Sequence, residues 1–374
     1  MSLFDVYPLF DVTPIKAKDV FVYDDNNIKY LDLYGGHAVI SIGHSHPEYV
    51  KNISHQVAKL GFYSNSIQNP LQHELSTKLC KISGCEHYHL FLCNSGAEAN
   101  ENALKLASFH TGKSKVVAFK NGFHGRTSAA VVATDNPKII APINAQQEVE
   151  LIELGDLITL EKALSKNDVC AVIVEIIQGI GGLDEASTTF YQGLEQLTKK
   201  YKTLLIADEI QCGYGRTGDF FAFQKHNITP DIISIAKGMG NGFPVGGILI
   251  HPAIKATHGL LGTTFGGNHL ACSASLAVLK VLEEEKLLDH TKHMSNYFKE
   301  KAKEIPQIKK VKGRGLMLGL EFDFPIATLR TQLIHDQKVF TGSSKNPNLL
   351  RILPPLTIQQ QHMDQFFKAL KAVV

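Results

Sequence analysis

"PDIISIAKGMGNGFPVGG", residues 230–247, runs from a strand-forming apolar stretch onto a lysine and then onto glycine. The run Ile232 to Ala236 suits a strand buried on both faces of a mostly parallel sheet. "DVCAVIVEII" (168–177) and "TLLIADEI" (203–210) read the same way, and the helically spaced "STTFYQGLEQLTKKY" (187–201) lies between them. Upstream, "LQHELSTKLCKI" reads as helix, "YHLFLCN" (88–94) as strand and "AEANENALKLASFH" (97–110) as helix. "KVVAF" (115–119) and "AAVVAT" (129–134) read as further strands. The alternation predicts an α/β fold, a three-layer domain of roughly 200 residues. Residues 19–33 read as a hairpin around "DNN". The last hundred residues change character: helices near 269–287 and 289–304, short strands within "GRGLMLGLEF", and a final helix near 358–372. They predict a smaller α+β C-terminal domain. The expected division is an N-terminal segment, 1–45, packing with the small domain, a large domain over 46–265 and the small domain over 266–374.

Composition excludes several classes. With 44% apolar and 20% charged residues in a chain of 374, a folded globular protein is expected. A net charge of +2 gives no electrostatic case for nucleic acid. The start, "MSLFDVYPLF", lacks a basic region and cleavage site. The longest apolar run at helical spacing, Leu270 to Leu279, falls well short of the ~18 residues that cross a membrane. A cytoplasmic protein is the expectation. Six scattered cysteines (80, 85, 93, 170, 212, 272) form no CxxC pair and read as small buried hydrophobes.

In doubly wound sheets ligands gather at the carboxyl ends of the strands, where the polar motifs fall. Ser95-Gly96-Ala97 opens a helix after a strand, a setting whose free N–H groups favour phosphate. A capping box of Ser95 and Glu98 accounts for the same residues without a ligand. Phe123, His124 and Arg126 lie in a glycine-broken loop, where an aromatic ring can cover a planar ligand and an arginine can clamp a carboxylate. Asp208 and Glu209 end an apolar strand, where a carboxylate is costly without a cation. Being adjacent, they point to opposite faces, so one of them faces the ligand edge. Lys237 follows Asp208 by about one β-α-β step. A strand-end lysine, a strand-end aspartate and a phosphate-ready helix start together suggest pyridoxal 5'-phosphate. Its aldehyde takes a lysine as a Schiff base, its ring nitrogen an aspartate, and its phosphate a helix start. Three unrelated strand-end polar residues remain the alternative. Two lookalikes fail. "HTGKSK" (110–115) lacks the first glycine of a Walker loop and follows a helix. "GHSHP" (43–47) has no third metal ligand nearby and reads as a loop before a Pro-started helix.

The ordered set "GHSHP", "NSGAEANENALKLA", "FHGRT", "EIIQGIGG", "DEIQCGYGRTG", "AKGMGNGFPVGG", "TTFGGNHLAC" and "RILPPLT" resembles the class III (ornithine-type) aminotransferases of fold type I, from about Val20 to Leu356. Within them the chain is most like the N-acetylornithine and N-succinylornithine enzymes of arginine biosynthesis. The resemblance implies Lys237 as the Schiff-base lysine and proton carrier, and Asp208 as partner of the ring nitrogen. It places Gln211 near the ring hydroxyl, Phe123 and Ile210 on the two ring faces, and Ser95, Gly96 and Ala97 at the phosphate. It implies Thr264 at the phosphate of a neighbouring subunit, hence a homodimer with shared active sites. Arg126 would hold the α-carboxylate of an acylornithine, and Arg351 that of 2-oxoglutarate or glutamate, with Glu175 among the substrate-binding residues. Two departures stand out. Ile180 replaces the glutamate that relatives set against the substrate arginine, and His269 stands where proline is usual. The first implies a site with extra positive charge, suited to an acyl group such as succinyl. Ornithine, 4-aminobutyrate, glutamate-semialdehyde mutase activity and a non-catalytic binding scaffold are the alternatives.

Overall fold

The computed structural model describes residues 3–374. Three antiparallel strands come first: β1 (Pro14–Lys18), β2 (Phe21–Asp24) and β3 (Lys29–Asp32). Asp24 shapes the β2–β3 turn by accepting the N–H groups of Asn26 and Ile28. A single turn, α1 (Gly35–Ala38), follows, then the amphipathic α2 (Pro47–Lys59) and α3 (Pro70–Ser83), both begun by proline. Proline suits this position because the first helical N–H has no partner to lose.

The α/β alternation then builds the large sheet. Its elements are β4 (His89–Cys93), α4 (Gly96–Thr111), β5 (Lys115–Phe119), α5 (Ser128–Val132), β6 (Val149–Ile152), α6 (Leu157–Leu164), β7 (Val169–Val174), α7 (Thr188–Lys200), β8 (Leu204–Asp208), β9 (Ile232–Ile235) and β10 (Gly246–Ile250). The spatial order is β4-β10-β9-β8-β7-β5-β6. Every pair among β9, β8, β7, β5 and β6 is parallel, and β10 alone runs antiparallel to both its neighbours. Every residue of β7, β8 and β9 is buried, as their unbroken apolar runs require.

The remaining elements are α8 (His269–Glu284), α9 (Leu287–Ala302), β11 (Lys310–Arg314), β12 (Met317–Glu321), α10 (Ala327–His335), β13 (Val339–Phe340), β14 (Leu349–Ile352) and α11 (Gln360–Lys371). Strands β11, β12 and β14 form a separate antiparallel sheet. β13 joins β3 in parallel, so the first strands of the chain share a sheet with its last hundred residues.

The expected α/β fold with a mostly parallel sheet is therefore present, with one element corrected. Residues 129–134, read as a strand from "AAVVAT", instead continue α5 as far as Val132 and then bend. The Glu101 carboxylate, carried by α4, accepts the N–H groups of Ala129 and Ala130 (2.8 and 3.1 Å) and the Thr127 hydroxyl (2.8 Å). That caps the helix start from a distant residue, and the cap outweighs the β preference of the two valines. The six cysteines are buried and free. Among the described residues no helix is long and apolar enough to cross a membrane.

Candidate active site

All the strand-end motifs meet at one edge of the large sheet, around a cavity of about 370 Å³. Ser95, Gly96, Ala97, Phe123, Arg126, Glu175, Ile180, Asp208, Ile210, Gln211 and Lys237 line it. They come from the loops after β4, β5, β7, β8 and β9, as parallel topology dictates. The loop before β10 adds Phe243, Pro244 and Val245, and the N-terminal segment adds Val39.

Lys237 sits directly after β9, and its own backbone is in the left-handed region (φ 48°). A lysine there carries strain that only a well-fixed surrounding maintains. Asn241 supplies part of that fixation. Its side chain accepts the N–H groups of Ser41 and Ile42 (2.8 and 3.0 Å) and donates to Gly43 O (2.9 Å). Ser41 in turn donates to Gly238 O (2.7 Å). The N-terminal segment is thus tied to the lysine loop. By surface area Lys237 is half-buried, its open part facing the cavity it lines. Burial lowers its pKa from the usual lysine range, although Asp208 and Glu175 pull upward.

Asp208 is buried and held by three donors. His124 Nδ1 (2.7 Å) and Asn100 Nδ2 (2.8 Å) reach one carboxylate oxygen, and the Ile210 N–H (3.1 Å) reaches the other. Asn100 Nδ2 also reaches His124 O (2.7 Å), so its amide orientation is fixed by two acceptors. Burial opposes charge on His124, but the bond to Asp208 and its charge outweigh this, so the imidazole pKa is raised. Glu209 turns to the other side of the strand, as adjacency on a strand requires. There it accepts the Ala222 and Phe223 N–H groups (2.9 Å each), and burial pushes its carboxyl up to about 7.

At the start of α4, Ser95 Oγ accepts the Glu98 N–H (3.2 Å) and Glu98 reaches back to the Asn94 N–H (2.5 Å). The Ser95 half of the expected capping box therefore exists, while Glu98 caps the N–H one residue earlier than a full box requires. This arrangement leaves the Gly96 and Ala97 N–H groups at the cavity without intrahelical acceptors. Gly96 has to be glycine: a Cβ there would lie 2.8 Å from the Ile210 side chain. Glu175 accepts the N–H groups of Phe123 (2.8 Å) and Gly179 (2.9 Å), which joins the loops after β5 and β7. Its pKa is raised, chiefly by burial.

Two expected site residues lie off this wall. Thr264 is exposed and does not line the cavity. Arg351, on β14, is only 1% exposed and sits behind Gly179 and Gln211. Its acceptors are Ser343 O (2.5 Å), Gly179 O (3.1 Å) and Gln211 Oε1 (3.4 Å), with no ion pair among the described residues. Arg126, by contrast, is exposed at the cavity rim. His44 and His46 are each taken by a carboxylate, Asp32 (2.8 Å) and Glu285 (2.9 Å).

Asn100 is the site residue that the sequence reading passed over. Its signal was present, because an asparagine one turn after Gly96 is a poor helix former in a helix interior. His124 was noticed only as part of a loop. Its bond to Asp208 spans 84 residues and leaves no local pattern.

The comparisons agree over the whole chain. The acetylornithine aminotransferase of Aquifex aeolicus is 40% identical over 385 residues, covering 100% of this chain and 99% of that one. The crystal structure of acetylornithine aminotransferase from Elizabethkingia anophelis is 29% identical, with a TM-score of 0.84, and the match covers 98% of this chain and 95% of that one. An ornithine aminotransferase structure from Toxoplasma gondii, with partial occupancy of pyridoxal phosphate at its active site, is 28% identical. Its TM-score is 0.90, covering 98% of this chain and 91% of that one. Class III aminotransferases are in general pyridoxal-phosphate enzymes acting on small molecules. The aminotransferase class-III family model matches residues 5–374, and the chain belongs to that family.

Proposed function

We propose that this aminotransferase moves the δ-amino group of an N-acylornithine to 2-oxoglutarate, giving the acylglutamate semialdehyde and glutamate, as a step of arginine biosynthesis in the cytoplasm. The observation that carries the reading is Lys237: a strained, pKa-lowered amine at the cavity wall, beside a carboxylate fixed by three donors. The acyl-ornithine part rests on full-length relatives that bear the acetylornithine name.

The residues fit pyridoxal phosphate. Gly96 and Ala97 offer backbone donors at a helix start, the setting that favours phosphate. Asp208 offers a fixed negative charge, and Phe123 and Ile210 offer apolar flanks to a ring. When bound, the cofactor supplies a carbonyl that accepts the amino group and an electron-withdrawing ring. Lys237 would take up and return the proton moved during the transfer, a task for which a lowered pKa suits it. Asp208 would hold the ring nitrogen protonated, and Gln211 would stand near the ring hydroxyl. Arg126 binds the donor's α-carboxylate at the rim, Arg351 that of 2-oxoglutarate or glutamate, and Glu175 fixes the Phe123 loop beside the substrate. The division at residues 45 and 265 accompanies this reading.

The active unit is a homodimer in which Thr264 serves the partner's phosphate site. Next to Thr264 in the chain, the exposed Phe265 ring lies 5.3 Å from that of the exposed Phe62, and Val57, Leu60, Tyr63 and Ile67, close to Phe62 in sequence, are exposed as well. A patch of this kind marks a protein contact. The double substitution Phe62→Asp and Phe265→Asp is expected to give a folded monomer by light scattering that has lost most activity. A double variant that remains dimeric would remove this patch from the interface.

The decisive experiment measures glutamate release from 2-oxoglutarate with N-acetylornithine, N-succinylornithine, ornithine and 4-aminobutyrate. Activity confined to the last two would overturn the acylornithine reading. Among acyl donors, one observation favours succinyl. Arg351 has no acidic partner and Ile180 puts no charge on the wall, so no carboxylate neutralises this arginine directly. The expected result is a higher kcat/KM for N-succinylornithine; a clear acetyl preference sinks it.

A further inference from the structure

Arg351 presents a question of access. A guanidinium meant for a substrate carboxylate is 1% exposed and does not line the cavity. Two of its three side-chain hydrogen bonds are to main-chain carbonyls, which stay in place while the loops after β13 and β7 stay folded. The third is a side chain on the cavity wall, the Gln211 amide, whose oxygen lies 3.4 Å from Arg351 Nη1.

Several features hold that amide in place. Gln211 Nε2 donates to His37 O (3.1 Å), so the nitrogen faces an acceptor and the oxygen faces the cation. Gly179 makes room for it. A Cβ at residue 179 would lie 1.9 Å from Gln211 Oε1, so only glycine lets the amide reach the arginine. The Tyr34 ring and the Arg351 stem both pack against Gly342, where a Cβ would meet them at 2.6 and 3.2 Å. The contact itself is long for a hydrogen bond, and long bonds are the easily exchanged ones.

We propose that Gln211 is a neutral gate on the Arg351 carboxylate site: its amide oxygen caps the guanidinium, and an incoming carboxylate takes its place by turning the side chain aside. This rests on the reading of Arg351 as the 2-oxoglutarate site. A neutral cap is displaced without separating a buried ion pair, whereas a charged cap holds the cation against the incoming anion. Because no acid competes, the site is open to dicarboxylates in both halves of the reaction cycle. The same residue fronts the cavity at the cofactor, so Gln211 links carboxylate capture to the ring's surroundings.

The test is calorimetric titration of the holoenzyme with glutarate, an unreactive five-carbon dicarboxylate. Holoenzyme content is fixed beforehand by the visible absorbance band. Wild type binds glutarate and Arg351→Ala does not. Gln211→Glu weakens binding by at least about tenfold, because a carboxylate now pairs with Arg351. Gln211→Ala binds as tightly as wild type or more tightly, because the cap is gone. Gln211→Glu matching wild type, with Arg351→Ala inactive in binding, overturns the gate alone. Gln211→Ala weakening glutarate as much as Gln211→Glu also overturns it, since the amide would then be a ligand. Wild type that binds no glutarate overturns the gate together with the carboxylate role of Arg351, and leaves the transfer at Lys237 to be judged by glutamate release.

Discussion

Lys237→Ala is expected to lower glutamate release by at least about 10³-fold, since general acid–base transfer alone contributes about 10² to 10⁴. The residue's position makes the loss specific. It follows the last residues of a wholly buried strand, and its backbone is bent to φ 48° so that the side chain enters the cavity. Neither nearby arginine can substitute. Arg126 lies at the rim and Arg351 behind Gln211, and neither guanidinium gives up a proton readily. The fold should survive, because alanine relieves the burial of an ammonium and removes no hydrogen bond that holds the loop. Asn241 and Ser41 keep those. The check is paired: glutamate release and the visible band of added pyridoxal phosphate. Wild type shows both, and the variant has neither activity nor the lysine-dependent band, with circular dichroism unchanged. A variant that retained a tenth of wild-type activity would end the assignment.

The strands around Lys237 were readable because burial on both faces writes an unbroken apolar run. β7, β8 and β9 do so. β10 did not, for a steric reason. Its first residues, Gly246 and Gly247, pass so close to their neighbours that a Cβ would come within 2.6 Å of Ser95 O and of Phe91 O. Glycine is required there and makes the strand resemble a turn. α5 was misread because its cap, Glu101, arrives from another helix. At the site, strand-end residues were visible because topology puts them at one edge. Their partners were not: Asn100 and His124 meet Asp208 across 108 and 84 residues. The missing acid at residue 180 was legible, but the neutral acceptors around Arg351 were not, since two of them are main-chain carbonyls.

Asp208→Asn is the second large effect expected, with kcat lowered by about 10² to 10³, the scale lost when one preorganised charge-stabilising group is removed. The shape is kept and the charge is lost, so this substitution separates electrostatics from packing. In wild type the carboxylate receives His124, Asn100 and the Ile210 N–H, all donors. With asparagine, an amide oxygen placed at the site shared by His124 and Asn100 sets the NH₂ against the Ile210 N–H, and the reverse orientation sets it against both side-chain donors. The imidazole loses the charge that raised its pKa, and burial, which opposes its protonation, is then uncompensated. The sign for stability follows. A histidine raised above its unfolded pKa of about 6.5 contributes stability that is full below that pH and is lost as pH rises through the folded value. Wild type should therefore exceed Asp208→Asn in Tm most at about pH 5.5 to 6.5, and the gap should narrow on going to alkaline pH. Thermal denaturation of both cofactor-free proteins across that range measures the gap, and ring-proton NMR follows the His124 titration. A constant gap, or an imidazole that titrates at the same pH in both proteins, would show that the Asp208–His124 contact carries no charge. Asp208 would then be held for the ring nitrogen by Asn100 and the backbone alone.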